Sequence, residues 1–252
     1  MNFNKINFKN LNKPRTNGLN IVMDNGIACG ALDDLLLDYN QYIDYIKIGW
    51  GLSLITPRLK EKIELCYKYE IPVFFGGTLF EYMFQKKYFD DYLRWLKDLN
   101  IKFIEISDGT INIEGTAKID CIKKAKNEGF MVFSEIGKKN PDDIGSPIGW
   151  VSQITDEIKA GADFIILEGR ESGSAGIYRS SGEIRSGLIT DIYSEHKESF
   201  DKLIFEAPNK NSQTYFIKKF GSNINLSNIN LHDILSLISL RNGLRSDTFN
   251  LK

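Results

Sequence analysis

Histidine is nearly missing from this sequence: His196 and His232 are the only two among 252 residues. Neither has a partner at ligand spacing, so a histidine-built zinc site is not expected and both read as surface or cap residues. No HExxH, Walker A loop or Ser-His-Asp set occurs, which leaves metalloprotease, nucleotide-hydrolysis and acyl-enzyme chemistry without support. Cysteine is scarce as well. Cys29, Cys66 and Cys121 are odd in number, far apart and without CxxC spacing, which argues against a disulfide framework and for reduced thiols. Charge of one sign is not in excess either. The 32 basic and 33 acidic residues leave a net −1, so neither nucleic acid nor an acidic membrane is an expected partner. No apolar run approaches the roughly 18 residues that span a bilayer. The opening MNFNKINFKNLNKPRTNG is polar and lacks the apolar core of a signal peptide. The expectation is a soluble, cytoplasmic protein.

What the sequence does have is alternation. Short apolar runs, NIVMD, YIKIGW, PVFFGG, FIEIS, MVFSEIG, FIILEG, KLIFEAP and INLSNI, alternate with longer amphipathic segments such as PRLKEKIELCYKYE and FEYMFQKKYFDDYLRWLKDL. The stretch after FIILEG reads as a polar loop. Eight strand-then-helix units at the spacing of a βα repeat predict a parallel sheet. In a chain of this length they predict a single-domain (β/α)8 TIM barrel over residues 1–252, with a polar N-terminal extension at about 1–12. A doubly wound open sheet is the competing architecture, and the lack of GxGxxG after the first strand counts against it.

The strand ends carry the chemistry. Asp24, Glu105, Glu135, Glu168 and Glu206 sit at or near the C-terminal ends of five predicted strands, and Lys47 near that of a sixth. Charged groups are rarely buried unless paired, so this repetition predicts five carboxylates and a lysine converging on one barrel mouth. Acids outnumber bases there, and oxygen-rich, nitrogen-poor surroundings suit Mg2+, commonly in company with a phosphorylated substrate. The GRESGSAG loop with Arg170 could cradle an anion through backbone amides and a guanidinium fork. Arg15, Arg241 and Arg245 are further candidate anion binders. Asn209 and Ser227 qualify because the loops after strands seven and eight of a barrel often hold phosphate.

Ten of these stretches, KPRTNGL, IVMDNG, YIDYIKIGWG, GGTLFEY, IEISDG, GFMVFSEIGKK, ILEGRESG, IFEAP, KFGSNINLSNI and LRNGLRSDTF, occur in order from about residue 13 to 249. Through them the sequence resembles the phosphosulfolactate synthase family. It departs from the pattern at Asn25, where a lysine is expected, and at Ser246 and Asn250, where glycines are usual. The resemblance implies a (β/α)8 barrel lyase that adds sulfite to phosphoenolpyruvate with Mg2+, the opening step of one route to coenzyme M. It implies a homo-oligomer whose partners are these small molecules. The metal candidates are then Glu105, Glu135 and Glu168, with Asp24 and Glu206 behind them. Lys138 is the expected proton donor to the metal-stabilised enolate, with Lys47 second. Two other readings remain open: a Mg2+-dependent barrel enzyme that gives phosphoenolpyruvate or a relative a different nucleophile, and a non-catalytic binding or stress protein.

Overall fold

All eight apolar runs become strands in the computed structural model, which describes residues 13–140 and 142–249. The expected extension at about 1–12, and Asn250, lie outside the described residues. The strands are β1 (Asn20–Asp24), β2 (Tyr45–Ile48), β3 (Val73–Phe75), β4 (Phe103–Ser107), β5 (Met131–Ile136), β6 (Phe164–Leu167), β7 (Leu203–Glu206) and β8 (Leu226–Asn230). Between and after them run α1 (Cys29–Tyr39), α2 (Leu59–Lys68), α3 (Gly77–Gln85), α4 (Phe89–Asp98), α5 (Gly115–Asn127), α6 (Pro147–Ala160), α7 (Ser186–Glu195), α8 (Lys210–Phe220) and α9 (Ile234–Arg241).

Two elements depart from the sequence reading. The long segment after β3 is not one helix: Lys87 takes φ 63° and breaks it into α3 and α4. The stretch read as a polar loop after β6 contains α7, which buries Leu188, Ile189 and Ile192. Local chemistry explains several ends. Pro147 opens α6 behind an Ser146 cap that accepts from Gly149 N, and Gly161 at φ 110° closes it. Asn209 and Ser212 form a reciprocal capping box on α8.

Every strand pair is parallel, in the order β3-β2-β1-β8-β7-β6-β5-β4. Side chains alternate across this sheet. Ile21, Phe74, Phe133, Ile166 and Ile204 form one buried layer inside the barrel, flanked by Tyr45, Phe103 and Phe164. Phe74 and Phe133 stack there with ring centroids 4.7 Å apart. The alternate residues, among them Val22, Ile46, Val73, Ile104, Val132 and Ile165, face the helices in the larger core.

That parity positions the mouth. Two residues beyond the aromatic and aliphatic layer come Lys47 after Tyr45, Glu105 after Phe103, Glu135 after Phe133, Glu168 after Ile166 and Glu206 after Ile204. All five are buried. At the seam between β3 and β4, where no ladder is formed among the described residues, side chains take its place. Gly77 N donates to Glu105 Oε1 at 2.6 Å. Glu81 of α3 accepts from Ser107 Oγ at 2.5 Å, Gly109 N at 3.1 Å, and Thr110 N and Ile111 N at 2.8 Å each. Among the described residues no helix is long and apolar enough to cross a membrane.

Candidate active site

Lys47 stands at the centre of the mouth, where its period-two position on β2 directs it inward. Its Nζ lies 3.0 Å from Glu105 Oε2, 3.4 Å from Glu135 Oε2 and 3.2 Å from Glu206 Oε1. A second ammonium enters from the loop after β5. Lys139 Nζ is 3.1 Å from Glu135 Oε1, 3.4 Å from Glu168 Oε2 and 3.8 Å from Glu81 Oε1. Lys47 is 5% exposed at its side chain and Lys139 25%, so Lys139 is the ammonium that an incoming molecule can reach.

The titration of the cluster follows from its charge count. Burial pushes the Glu105 carboxyl up to about 8, with Glu135 adding to it and Lys47 opposing. Burial, then Glu135 and Glu206, hold Glu168 well above the usual carboxylate range. Burial acts on Glu135 in the same sense, but Lys139 and Lys47 outweigh it and keep this carboxyl well below that range. Burial would lower both lysines; the surrounding carboxylates win and raise them, so both stay protonated. Four inward glutamates against two lysines leave two charges uncompensated, and the cluster answers by favouring protons on Glu105 and Glu168.

A divalent cation fits that deficit. Glu105 Oε2 and Glu168 Oε2 are buried, and each faces an ammonium, at 3.0 Å and 3.4 Å. An all-oxygen set with two surplus negative charges suits a hard cation such as Mg2+. As they stand, the two ammonium groups fill the centre, and among the described residues no three acidic, histidine or cysteine side chains surround a common point.

Backbone geometry supports this crowding. A Cβ on Gly77 would lie 2.4 Å from Ser107 Oγ and 2.9 Å from Glu105 Oε1. Only glycine lets the amide that holds Glu105 come so close. Arg170, at φ 57°, donates its backbone N–H to Glu168 Oε1 at 2.6 Å and lines the mouth, its Nη1 donating to Lys139 O at 3.4 Å. A wider cleft runs between α5 and α6. It opens on the outer surface of the barrel, and the convergence of charge marks the mouth as the site.

Several expected site residues are elsewhere. Asp24 does not join the cluster: β1 points Ile21 and Met23 inward, so Asp24 faces the helices. There it takes Lys62 Nζ at 2.5 Å and the amides of Gly26 and Ile27. Lys138 turns away from the mouth, its Nζ bonded to Asp108 O at 2.7 Å and Asp108 Oδ2 at 3.1 Å. Arg15 is at the opposite end of the barrel, where its Nε meets Asp44 Oδ1 at 2.9 Å. Arg241 is near it, donating to Asn20 Oδ1 at 3.0 Å. Arg245 bonds Ser236 of α9. Asn209 caps α8 with its side chain. Ser227 is fully buried beside Glu206 in the β7–β8 ladder, its Oγ without a partner. Glu81 and Asn228 were passed over in the sequence, and of the two adjacent lysines after β5 the choice fell on Lys138, not Lys139. Lys139 lies beyond the end of β5, past Gly137 at φ 123°, where strand alternation no longer fixes which of two adjacent lysines turns to the mouth.

Three comparisons bear on the chain as a whole. A sequence profile of the family described as (2R)-phospho-3-sulfolactate synthase (ComA) matches residues 8–247. The chain is 42% identical over 240 residues to the phosphosulfolactate synthase of Bacillus subtilis (strain 168), covering 94% of each chain. It is 42% identical over 237 residues to that of Methanocaldococcus jannaschii, covering 92% of this chain and 94% of the relative. Among solved structures, the Salmonella typhimurium 3-hexulose-6-phosphate synthase superposes with a TM-score of 0.56 at 12% identity, over 88% of this chain and 99% of that one. The last is a likeness of fold alone.

Proposed function

The chain belongs to the (2R)-phospho-3-sulfolactate synthase family, and from that premise we propose that the barrel mouth adds sulfite to phosphoenolpyruvate, forming (2R)-phospho-3-sulfolactate. The observation that carries the reading is the buried cluster of Glu105, Glu135, Glu168 and Glu206 around two ammonium groups. In the addition, the sulfur lone pair forms a bond to C3. The C2=C3 π pair moves to C2 and into the carboxylate, and a proton arrives at C2. The phosphate stays on its oxygen throughout.

Charge therefore builds on the substrate carboxylate before the proton arrives, and fixed positive groups must already be in place. Lys47, clamped by three carboxylates, is the immobile one. Lys139 is protonated, partly exposed and tethered by only two close acids, so it is the group to deliver the proton to C2. The expectation for Lys138 passes to its neighbour. Glu105, Glu135, Glu168 and Glu206 would hold Mg2+, while Asp24, already committed to Lys62 and two amides, would not. Such an ion supplies Lewis-acid stabilisation of the developing enolate oxygens.

A cytoplasmic setting is part of the proposal, on the ground that Cys29, Cys66 and Cys121 are all free thiols. So is self-association, for which Trp50, Leu54 and Ile55 expose apolar side chains in one loop. The deciding experiment incubates the purified protein with sulfite, phosphoenolpyruvate and Mg2+ and follows the product by mass spectrometry. The phosphosulfolactate mass is expected. Its absence, with product formed from another nucleophile, would overturn the choice of sulfite.

A further inference from the structure

The acids of the mouth occupy one half of its circumference. Glu105, Glu135, Glu168 and Glu206 come from the consecutive strands β4 to β7. The other half is built from Asn228 on β8, Met23 on β1, Lys47 on β2 and Gly76 after β3, with no carboxylate among them. The second half sets no carboxylate against an entering oxyanion.

Asn228 is unusual within this acid-free half. It sits inside a strand yet takes φ 56°, at the point where the β1–β8 register slips. A bulge beside an active site redirects a side chain, and a left-handed residue in a strand needs a reason to persist. Here the bend turns the Asn228 side chain to line the mouth. The residue is 7% exposed, and its Oδ1 is buried without a hydrogen-bond partner. Ser227 directly before it is 0% exposed, with an Oγ equally unpartnered. Buried polar atoms are nearly always satisfied, and of these two Asn228 is the one that lines the cavity, where an entering group can supply the bond. The amide carries both an acceptor and an NH2 donor, and a half-turn about χ2 exchanges them.

We propose that Asn228 forms a subsite that donates hydrogen bonds to a substrate oxyanion on the acid-free side of the mouth. The inference deepens the reading above and rests on it. The oxyanion belongs either to phosphoenolpyruvate or to sulfite, and the two are separable.

The test uses Asn228→Gly and Asn228→Asp in the full chain. Glycine accepts φ 56° without strain and deletes the amide. Aspartate keeps the shape and tolerates the left-handed region, but sets a negative acceptor against the anion. Both should fold with a Tm near that of the wild type. KM for one substrate should rise about tenfold or more in Asn228→Gly, and further in Asn228→Asp, with kcat less affected. The substrate so affected identifies the anion held. Its stabilisation of the protein in thermal melts, large in the wild type, should shrink in the same variants. Wild-type KM values for both substrates in Asn228→Gly would reduce the residue to a backbone role and overturn the subsite. So would a wild type that neither anion stabilises. A wild type that forms no product, yet loses anion stabilisation in Asn228→Asp, would keep the subsite and sink the reaction.

Discussion

Lys138 and Lys139 are neighbours in the chain with their ammonium groups in different surroundings. Lys138 spends its donors on Asp108 and the loop carbonyl of Ile111, while Lys139 reaches Glu135 and Glu168 in the mouth. Lys139→Ala should therefore fold and lose turnover by about 10² or more, the usual scale for a positioned acid. Lys139→Arg should be nearly as poor, because a guanidinium keeps the charge but holds its proton. Lys138→Ala should lose far less. Steady-state assays of the three variants decide, and near-normal turnover in Lys139→Arg would move the proton donor to Lys47. The acids allow a second test. Glu105, pushed up to about 8, is mostly protonated near neutral pH in the metal-free protein, and glutamine resembles that protonated form. Glu105→Gln should then leave the metal-free melting temperature close to that of the wild type while raising the Mg2+ concentration needed for half-maximal rate. Chelation should abolish wild-type turnover and Mg2+ restore it. Activity that survives exhaustive chelation would remove the metal from the mechanism.

Among the elements, α5 does more than cover the sheet. Its Lys118, 2% exposed, places Nζ 2.9 Å from Asp108 Oδ1, 2.8 Å from Glu157 Oε1 of α6 and 2.6 Å from the Glu135 carbonyl of β5. Ser134 Oγ completes the link by donating to Glu157 Oε2 at 2.6 Å. One helix residue thus ties the ends of β4 and β5 to α6, just beneath two mouth acids. Lys118→Met leaves the buried Glu157 without its cation and Asp108 with Lys138 alone, and should cost about 3–5 kcal/mol in urea denaturation. The pH dependence has a definite sign. Burial alone would raise Asp108, but Lys118 and Lys138 outweigh it and lower the carboxyl below its usual 3.8. The folded state then binds fewer protons than the unfolded chain in this range. The stabilisation is full above about 3.8 and lost as pH falls through the folded value. The stability gap between wild type and Asp108→Asn should accordingly be wide at neutral pH and close in acid. A gap that stayed constant would mean that Asp108 contributes shape alone.

For the whole molecule the seam between β3 and β4 sets the pattern of stability. Elsewhere neighbouring strands share ladders, but here the joint is Glu105 on Gly77 and Glu81 on the turn after β4. Glu81 is 1% exposed, and Glu81→Ala would leave several backbone amides without an acceptor. A loss of at least about 2 kcal/mol is expected, since each buried unsatisfied group costs on the order of 1–3 kcal/mol. Hydrogen exchange should accelerate in residues 73–79 and 103–111 first, with β6 and β7 protected as before. Uniform acceleration would show that the seam is no weaker than the ladders.

Eight strands, their parallel order in a barrel and the inward glutamates of β4 to β7 were legible in the sequence, because period-two alternation is a local property and each strand end repeats it. Asp24 shows the limit of reading strand ends without parity: it lies an odd number of residues from Ile21, so it faces Lys62 on α2. Helix α7 was missed because its apolar Leu188, Ile189 and Ile192 follow a long polar lead. Partners are a different matter. Lys47 meets Glu206 across 159 residues of chain, and Arg15 looked like an anion binder until Asp44, 29 residues on, took its guanidinium at the far end of the barrel. Which acid faces which base, and on which side of a loop a lysine emerges, depends on strands brought together only by closure. The bulge that turns Asn228 inward arises from a register slip between β1 and β8, which lie some two hundred residues apart in the chain, and no local pattern in either strand encodes it.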